Sequence, residues 1–448
     1  MEAVAKDTLE SRGIFRELIR YSVPLIIANV LQSLYGLTDF FLAGIFLGDE
    51  ALSAITNGGQ FMTLYTGIII GLSNGGNVMI GQYTGGGLEK ARRDCTGSFL
   101  TLFFLIGAGS ALVLGVNHNL FMGLLRAPAL ELSGEYLLYC APGALAIAGY
   151  NAATATLRAV GDSRRPMLFV IISVTANVFL DVLLMHNLQL GVKGAAIATA
   201  ISQYLSFAMA GSYLLFAKGH GLKLSRASLR PDKKHIRDIL HIGIPCAIQM
   251  TVASVSWLSV LFLLNRYGIF VSTAYGASAK VKDLVQTVTA ALSMAATAMI
   301  SQALGSKQYS RALAIMYSAM KLALGVSAVL IIAVEILAPQ LIGLFSQGEE
   351  VIQAGVENLR IEIIGQLFYA SFMIYHSMMT GAGHTKMVLF SSFVNCILVR
   401  AVLAVILSSI PGLGATGVYL ACLIAPASSI PIGAAYIRRG RWRKSLVS

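Results

Sequence analysis

The chain has 448 residues, of which 56% are hydrophobic and only 12% are charged, and its formal net charge is +12. An average soluble domain carries about 25% charged residues, and a soluble protein of this length could not keep so much apolar surface away from water. The composition therefore excludes soluble enzymes, nucleic-acid-binding proteins and disordered scaffolds, and it predicts an integral membrane protein.

Long uncharged runs predict that helices, rather than a β-barrel, span the membrane. Residues 51–88, 96–125 and 401–437 contain no Asp, Glu, Lys or Arg, and a spanning helix needs roughly 20 apolar residues. Barrel strands would instead alternate apolar and polar residues. We predict an all-α membrane protein with twelve transmembrane helices, near residues 18–46, 52–81, 96–118, 132–157, 167–187, 192–217, 239–266, 271–302, 313–338, 353–380, 387–409 and 414–437.

The distribution of basic residues predicts the topology. With the N-terminus in the cytoplasm, 25 of the 33 Lys and Arg residues fall in cytoplasmic segments, which is the positive-inside asymmetry. The excess charge therefore indicates orientation and contact with anionic lipid headgroups. We predict a multi-pass protein of the cytoplasmic membrane, with both termini in the cytoplasm and no nucleic-acid partner.

The hydrophilic stretch at residues 218–238 separates two halves that repeat one another. Pro24 and Pro245 lie early in their halves, 221 residues apart, and MIGQYTGGG at residues 79–87 is echoed by MISQALGSK at 299–307. Nine positions keep the same order at spacings of 218 to 223, which indicates duplication. We predict an N-terminal six-helix lobe (1–217), a cytoplasmic linker (218–238) and a C-terminal six-helix lobe (239–448). Because each half has an even number of spans, the repeats are parallel, as in transporters whose bundles rock about a midplane cavity.

Three polar residues lie deep within the predicted spans of the first half. Asp39 lies fifteen residues beyond Pro24, and Asn177 and Asp181 are spaced i, i+4 on one face of the fifth span. A charged side chain at the bilayer centre costs at least about 2.5–3.5 kcal/mol, so intramembrane acids favour an ion pathway. The alternative is a polar contact between helices, worth roughly 0.6 kcal/mol. Carboxylate and amide oxygens suit Na⁺ or a proton relay, so these residues are the candidate coupling-ion site and the candidate Na⁺ site.

Several motifs, taken in order, resemble one transporter family. They are TDF in the first span, GQYTGGG after the second, LRAVGDSRRP before the fifth, ANVFLDVLL within it and GVKGAAIAT at the start of the sixth. Together with the duplication, they resemble the multidrug and toxic compound extrusion (MATE) transporters of the MOP flippase superfamily. The resemblance implies a two-lobed antiporter that expels organic cations or drugs in exchange for H⁺ or Na⁺. It places the coupling ion at the positions matched by Asp39, Asn177, Asp181 and Thr199.

The second half departs from the family pattern. The counterpart of Asp181 falls at Val399, beside Arg400, and residues 240–264 contain no acid. Glu357 and Glu362 lie only in outer turns of the tenth span, and residues 363–380 contain no acid. Members that resemble the Na⁺-coupled NorM group carry acids within these helices. The departure therefore favours a single ion site in the N-terminal lobe, similar to the DinF-like members.

Four residues are weaker candidates for binding substrate: Tyr35, Gln60, Lys280 and Arg400. Aromatic side chains could hold a flat organic cation by cation–π contacts, but with 17 Tyr and 20 Phe in the chain most aromatics are core or lipid-facing. For Lys280, an ion pair with Asp283 on the same helix is an equal alternative to substrate binding. For Arg400, the equal alternative is snorkelling of its side chain toward the membrane interface.

The predicted function is secondary active multidrug efflux by a monomer that acts on small molecules in the lipid bilayer and needs no cofactor beyond its coupling ion. GQYTGGG lacks the lysine of a phosphate-binding loop and follows a membrane span, so neither an enzyme nor an ATP-driven pump is predicted. The alternative is a lipid-linked oligosaccharide flippase of the same superfamily, in which Lys280 and Arg400 would hold a pyrophosphate. The intramembrane acids disfavour a third class, a non-transporting scaffold.

Overall fold

The computed structural model describes residues 2–125, 129–216, 228–345 and 348–443, together with Leu222, Leu224 and Leu446. Side chains are described from Gly13 onward, other than those of Leu37, Asp49 and Leu125. Arg126 and most of the predicted linker before Ser228 lie outside the described residues. The part of the chain that is described is almost entirely helical and contains no β-strand, which confirms the all-α class.

The helices follow the twelve predicted spans, four of which are divided into two α-helices. The first half contains α1 (Glu2–Leu47), α2 (Asp49–Gly85), α3 (Glu89–Val116), α4 (His118–Leu125), α5 (Leu130–Cys140), α6 (Gly143–Ala159), α7 (Arg164–Asp181) and α8 (Gly191–Phe216). The second half contains α9 (Lys233–Leu264), α10 (Ile269–Gly305), α11 (Tyr309–Gly343), α12 (Glu349–Ile364), α13 (Gln366–Gly381), α14 (Thr385–Phe393), α15 (Val402–Ser408), α16 (Gly414–Ile424) and α17 (Ser429–Arg438). The divided spans are α5–α6, α12–α13, α14–α15 and α16–α17.

Eight helical segments among the described residues are long and apolar enough to cross a membrane on length and composition alone. The other predicted spans are α2, α8 and the pairs α5–α6 and α12–α13. The pairs are interrupted beside Pro142 and Gly365, and α2 and α8 are rich in Gly, Ala, Ser and Thr. Small residues add little hydropathy, but they let helices approach closely in a membrane.

The helices form two compact units. Residues 23–247 form the N-terminal unit, and residues 248–448 together with residues 1–22 form the C-terminal unit. The helices α1 and α9 therefore each contribute to both units, and in each the division falls within two residues of an internal proline, Pro24 or Pro245. Proline removes a backbone hydrogen bond and weakens a helix at that point. The lobe boundaries at residues 217 and 239 stay a prediction.

Glycines bring two helices of the N-terminal unit into backbone contact. A Cβ at Gly75 on α2 would lie 2.1 Å from the carbonyl oxygen of Ile239 on α9, and a Cβ at Gly243 would lie 2.6 Å from the carbonyl oxygen of Leu72. No side chain fits at such distances. This close approach holds the first turns of α9 against α2.

The helix α10 lies at the centre of the C-terminal unit, where it packs against α11, α12 and α13. Its buried face is built largely from Ala and Ser. The first residues of α1 belong to this unit as well, and Glu17 forms an exposed ion pair with Arg311 on α11 at 3.1 Å.

Candidate functional site

Three predicted site residues come together in the N-terminal unit. Asp39 lies on α1, whereas Asn177 and Asp181 lie one turn apart at the end of α7. Asn177 and Asp181 are 0% and 1% exposed, and Asp39 is partly buried. In the amide orientation that satisfies both acids, Nδ2 of Asn177 donates to Oδ1 of Asp39 and to Oδ2 of Asp181, each at 2.9 Å. The two carboxyl groups therefore share one donor.

Tyr35 connects α1 to α8. It lies one turn before Asp39, and its hydroxyl donates to Oγ1 of Thr199 at 3.2 Å. The same hydroxyl interacts with the carboxyl group of Asp39. Thr199, which only the family resemblance implied, is thus linked to the acids through Tyr35. We define the acid cluster as Tyr35, Asp39, Asn177, Asp181 and Thr199.

The electrostatics of the acid cluster are those of two neighbouring carboxyl groups in the N-terminal unit. Asp39 and Asp181 accept hydrogen bonds from the same amide nitrogen of Asn177, which keeps the two carboxyl groups close together. Oδ1 of Asp181 is buried and has no hydrogen-bond donor among the described residues. Two carboxyl groups in such contact resist ionising together, so a proton or a small cation stabilises the pair. Their oxygens, with that of Thr199, are also the hard ligands that Na⁺ prefers.

The helices that carry the key charges of the two halves both depart from α-helical geometry. A π-helical segment, Val182–Asn187, follows directly on Asp181. A second one, Val394–Ala401, lies in the equivalent helix of the second half and contains Arg400. Such segments are rare and frequently occur at functional sites. The same helix of each repeat therefore contains a π-helical segment.

Three of the predicted substrate residues lie outside the acid cluster. Gln60 is exposed on α2, and Lys280 is exposed on α10. Lys280 and Asp283, whose side chains are both described, form no ion pair within 4 Å of each other. Arg400, in contrast, is buried at 5% exposure.

A buried ion pair lies in the C-terminal unit. Nζ of Lys282 on α10 donates to Oε2 of Glu362 on α12, and both side chains are at most 5% exposed. Nδ2 of Asn358 donates to Oε1 of the same carboxylate at 2.8 Å. Both oxygens of Glu362 are therefore occupied by partners within the unit.

Trp257 on α9 lies beside two cations. The guanidinium carbon of Arg400 is 4.5 Å from the ring centroid, and Nζ of Lys282 is 5.1 Å from it. Cation–π contacts stabilise cations that are removed from water. Nη1 of Arg400 also donates to Oγ of Ser256 at 3.5 Å. Its Nε is buried without a hydrogen-bond partner in the described part of the chain.

A small cavity opens beside these groups. We define the basic cluster as Trp257, Lys282, Glu362 and Arg400, all of which line a cavity of about 20 Å³. The cavity is also lined by Gln286, Ile363, Gly365, Gln366, Tyr369, Cys422 and Pro426. Its volume suits one water-sized group.

Lys282, Glu362 and Trp257 are absent from the predicted site residues. Residues 280 and 282 are two apart on α10 and therefore face different sides of the helix; only Lys282 faces the buried side. One signal was available, because Lys282 and Glu362 both lie within predicted spans, where ionisable residues usually pair. Their pairing depends on the packing of α10 against α12, which no local pattern records.

Two repeated halves of six spans, with ionisable groups buried in each, define the protein as a helical membrane transporter. The MatE family model matches residues 24–183 and again residues 245–406. The chain belongs to the MatE family, whose members are transporters and not enzymes. The two matches begin at Pro24 and Pro245, the spacing that the internal repeat predicts.

Individual relatives and solved structures are similar over most of the chain. The "Probable multidrug resistance protein YoeA" of Bacillus subtilis is 28% identical over 383 residues, which cover 83% of this chain and 82% of that protein. A "FAD transporter" of Shewanella oneidensis is 28% identical over 352 residues, which cover 77% of each. A solved multidrug resistance MATE family transporter of the MOP superfamily, in an outward-facing conformation, has a TM-score of 0.91 at 20% identity and covers 96% of this chain and 97% of its own. This last likeness confirms the twelve-helix fold.

Proposed function

We propose that the protein is a secondary active multidrug efflux antiporter of the cytoplasmic membrane, which exports organic cations or drugs in exchange for H⁺ or Na⁺. The observation that carries the proposal is the acid cluster, where Asp39 and Asp181 share the amide of Asn177. Buried acids joined in this way favour the uptake of one positive charge, and intramembrane acids mark ion pathways. That charge is the coupling ion.

The position of the acid cluster suggests how ion binding changes the protein. Tyr35 and Asp39 are carried by α1, Asn177 and Asp181 by α7, and Thr199 by α8. A bound ion draws α1 against the other two helices, and its release leaves two carboxylates that repel each other across them. Antiport requires the ion and the drug to favour different conformations, since a ligand that binds both equally shifts nothing.

The names of the relatives support small molecules as substrates. One is named for multidrug resistance and another as a FAD transporter, so export of drugs is the first proposal and a phosphate-bearing substrate remains within the family's range. Tyr35, Gln60, Lys280 and Arg400 stay the proposed substrate contacts. Gln60 and Lys280 are exposed, and Arg400 is buried in the basic cluster.

A lipid-linked oligosaccharide flippase is the second candidate. The observation that favours it is the burial of Lys282 and Arg400 in one unit, because cationic residues would be needed to hold a pyrophosphate. Resistance of cells to ethidium on expression supports efflux. A defect in envelope glycan assembly on deletion, without any change in resistance, supports the flippase.

The decisive experiment for antiport is ion-driven transport by the purified chain in liposomes. We expect ethidium flux to follow an imposed pH gradient or an imposed Na⁺ gradient, each applied without the other, and to cease when the gradient is collapsed. The gradient that drives flux identifies the coupling ion. Flux that ignores both gradients, at a rate above that of empty liposomes, would contradict antiport.

A further inference from the structure

The basic cluster has one more positive charge than its own residues neutralise. Lys282 and Glu362 form a pair, and the second oxygen of Glu362 is taken by Asn358. Arg400 makes no ion pair within 4 Å in the described part of the chain, although its side chain is buried. Asp283, next to Lys282 in the chain, is exposed. A buried cation without a carboxylate partner is unfavourable unless a ligand completes its surroundings.

The donors of Arg400 are also incompletely used. A guanidinium has five N–H groups, of which one makes a long bond of 3.5 Å to Ser256. Nε has no hydrogen-bond partner among the residues that the structure describes, and Trp257 covers a face of the group rather than accepting its hydrogen bonds. Arg400 lines the small cavity of the basic cluster. A planar, bidentate acceptor placed there would satisfy these donors.

Because the chain is duplicated, the helix that carries Arg400 can be compared with the equivalent helix of the first half. The repeat spacing puts Val399 opposite Asp181, and Arg400 follows within the π-helical segment of the equivalent helix. Asn395, the counterpart of Asn177, is likewise buried. The same helix therefore presents an acid in one unit and a guanidinium in the other. A buried guanidinium on this helix would favour an anion, just as buried acids on the equivalent helix of the first half would favour a cation.

We propose that the basic cluster binds an anionic group of carboxylate size carried by the transported molecule, with Arg400 as its direct partner. The Lys282–Glu362 pair is neutral as a unit, so Arg400 carries the net positive charge of the basic cluster, and Trp257 contacts both cations. The cavity of about 20 Å³ has room for one water-sized group, such as a single carboxylate oxygen, and none for a pyrophosphate. The inference rests on the proposed function, and it adds that substrates with an acidic group are preferred over matched cations.

The test compares ciprofloxacin, which carries an amine and a carboxylate, with its methyl ester, which lacks the carboxylate. Transport by the full chain in liposomes is measured for both, after subtraction of the leak into empty liposomes. We expect Arg400→Gln to lower ciprofloxacin transport at least about tenfold and to leave the ester within about twofold of wild type. Arg400→Lys, which keeps the charge, should retain part of the preference. Equal losses for both probes, or none, would overturn the site.

The matched control is Arg360→Gln. Arg360 lies on α12, as Glu362 does, but its side chain is 51% exposed and pairs with Glu335 at 3.5 Å. Transport of ciprofloxacin and of its methyl ester should each change by no more than about twofold in this variant. Ethidium transport by the wild type tests the proposed function separately. Ion-driven ethidium flux without any distinction between ciprofloxacin and its ester overturns the anion site alone, whereas absence of all ion-driven flux contradicts antiport itself.

A binding measurement covers the case in which Arg400→Gln does not fold. The chain has two tryptophans, so the Trp442→Phe variant reports Trp257 fluorescence alone. Sodium benzoate should change this fluorescence saturably, and benzamide, its neutral analogue, should not. Sodium phosphate and sodium chloride at the same concentrations test for a free inorganic anion. A response to benzamide, no response to benzoate, or an equal response to chloride would contradict the proposal.

Discussion

Asp39 and Asp181 lie on different helices of the N-terminal unit and accept hydrogen bonds from the same amide nitrogen, that of Asn177, at 2.9 Å each. Protonation or substitution of either acid therefore alters the surroundings of the other. The two acids are therefore coupled, and the effects of substituting them should depend on each other.

Asp39→Asn should abolish ion-coupled transport while leaving the protein folded. The substitution keeps the shape of the side chain and removes the group that takes up the charge. We expect the ion-driven component of ethidium flux in liposomes to fall at least about tenfold, with an unchanged thermal unfolding midpoint. Asp94→Asn is the matched control, because Asp94 is a partly exposed acid of the same unit that lies outside the acid cluster. Wild-type transport by Asp39→Asn would refute the assignment.

Asp181→Asn should damage coupling about as much as Asp39→Asn does. Residues that act as one unit are non-additive, so the double variant should be little worse than either single one. The three variants and the wild type are compared by ion-driven flux at equal protein density. Clean additivity would mean two separate sites, and the single acid cluster would have to be abandoned.

Tyr35→Phe and Thr199→Val should have small and equivalent effects. Each removes one partner of the 3.2 Å hydrogen bond between α1 and α8. A side-chain hydrogen bond in a membrane protein is worth about 0.6 kcal/mol on average, or about threefold in an equilibrium constant. The measured quantity is the ion concentration at half-maximal flux, and the double variant should match the singles. An effect of Tyr35→Phe on drug affinity alone would assign Tyr35 to the substrate instead.

Single substitutions of the Lys282–Glu362 pair should destabilise the C-terminal unit. Lys282→Met or Glu362→Gln leaves one charge buried without its partner, which costs about 3–5 kcal/mol because the side chains are at most 5% exposed. The double variant removes both charges and should be more stable than either single variant. Thermal unfolding of the purified protein in detergent measures the difference. A double variant as unstable as the sum of the two singles would show that the residues do not act as a pair.

Cysteine labelling should report opposite sides of the membrane for Lys234→Cys and Glu349→Cys. The five native cysteines are buried, so the background is low, and both replaced side chains are exposed. A membrane-impermeant maleimide should label Glu349→Cys in intact cells and Lys234→Cys only after permeabilisation. The reverse pattern would overturn the orientation derived from the basic residues.

The fold was largely predictable because few backbone structures are stable inside a lipid bilayer. Backbone groups inside the membrane must be satisfied within a helix, so apolar length predicts the twelve spans and the spacing of motifs predicts the repeat. The interruptions inside α5–α6 and α12–α13 and the division of α1 and α9 between units were not predictable in this way. They depend on which backbones come into contact, as Gly75 and Ile239 do.

The order of residues along the chain is enough to predict which polar residues enter the membrane and, through the i, i+4 spacing, that Asn177 and Asp181 share a helix face. The packing of the helices was needed to show that Asp39 faces the same amide, that Tyr35 on α1 is hydrogen-bonded to Thr199 on α8, and that Lys282 rather than Lys280 is the buried lysine. Helical periodicity relates residues on one helix to each other. The rotation of each helix, and hence the partner that a charge meets across a helix interface, is set by side-chain packing between segments far apart in the chain.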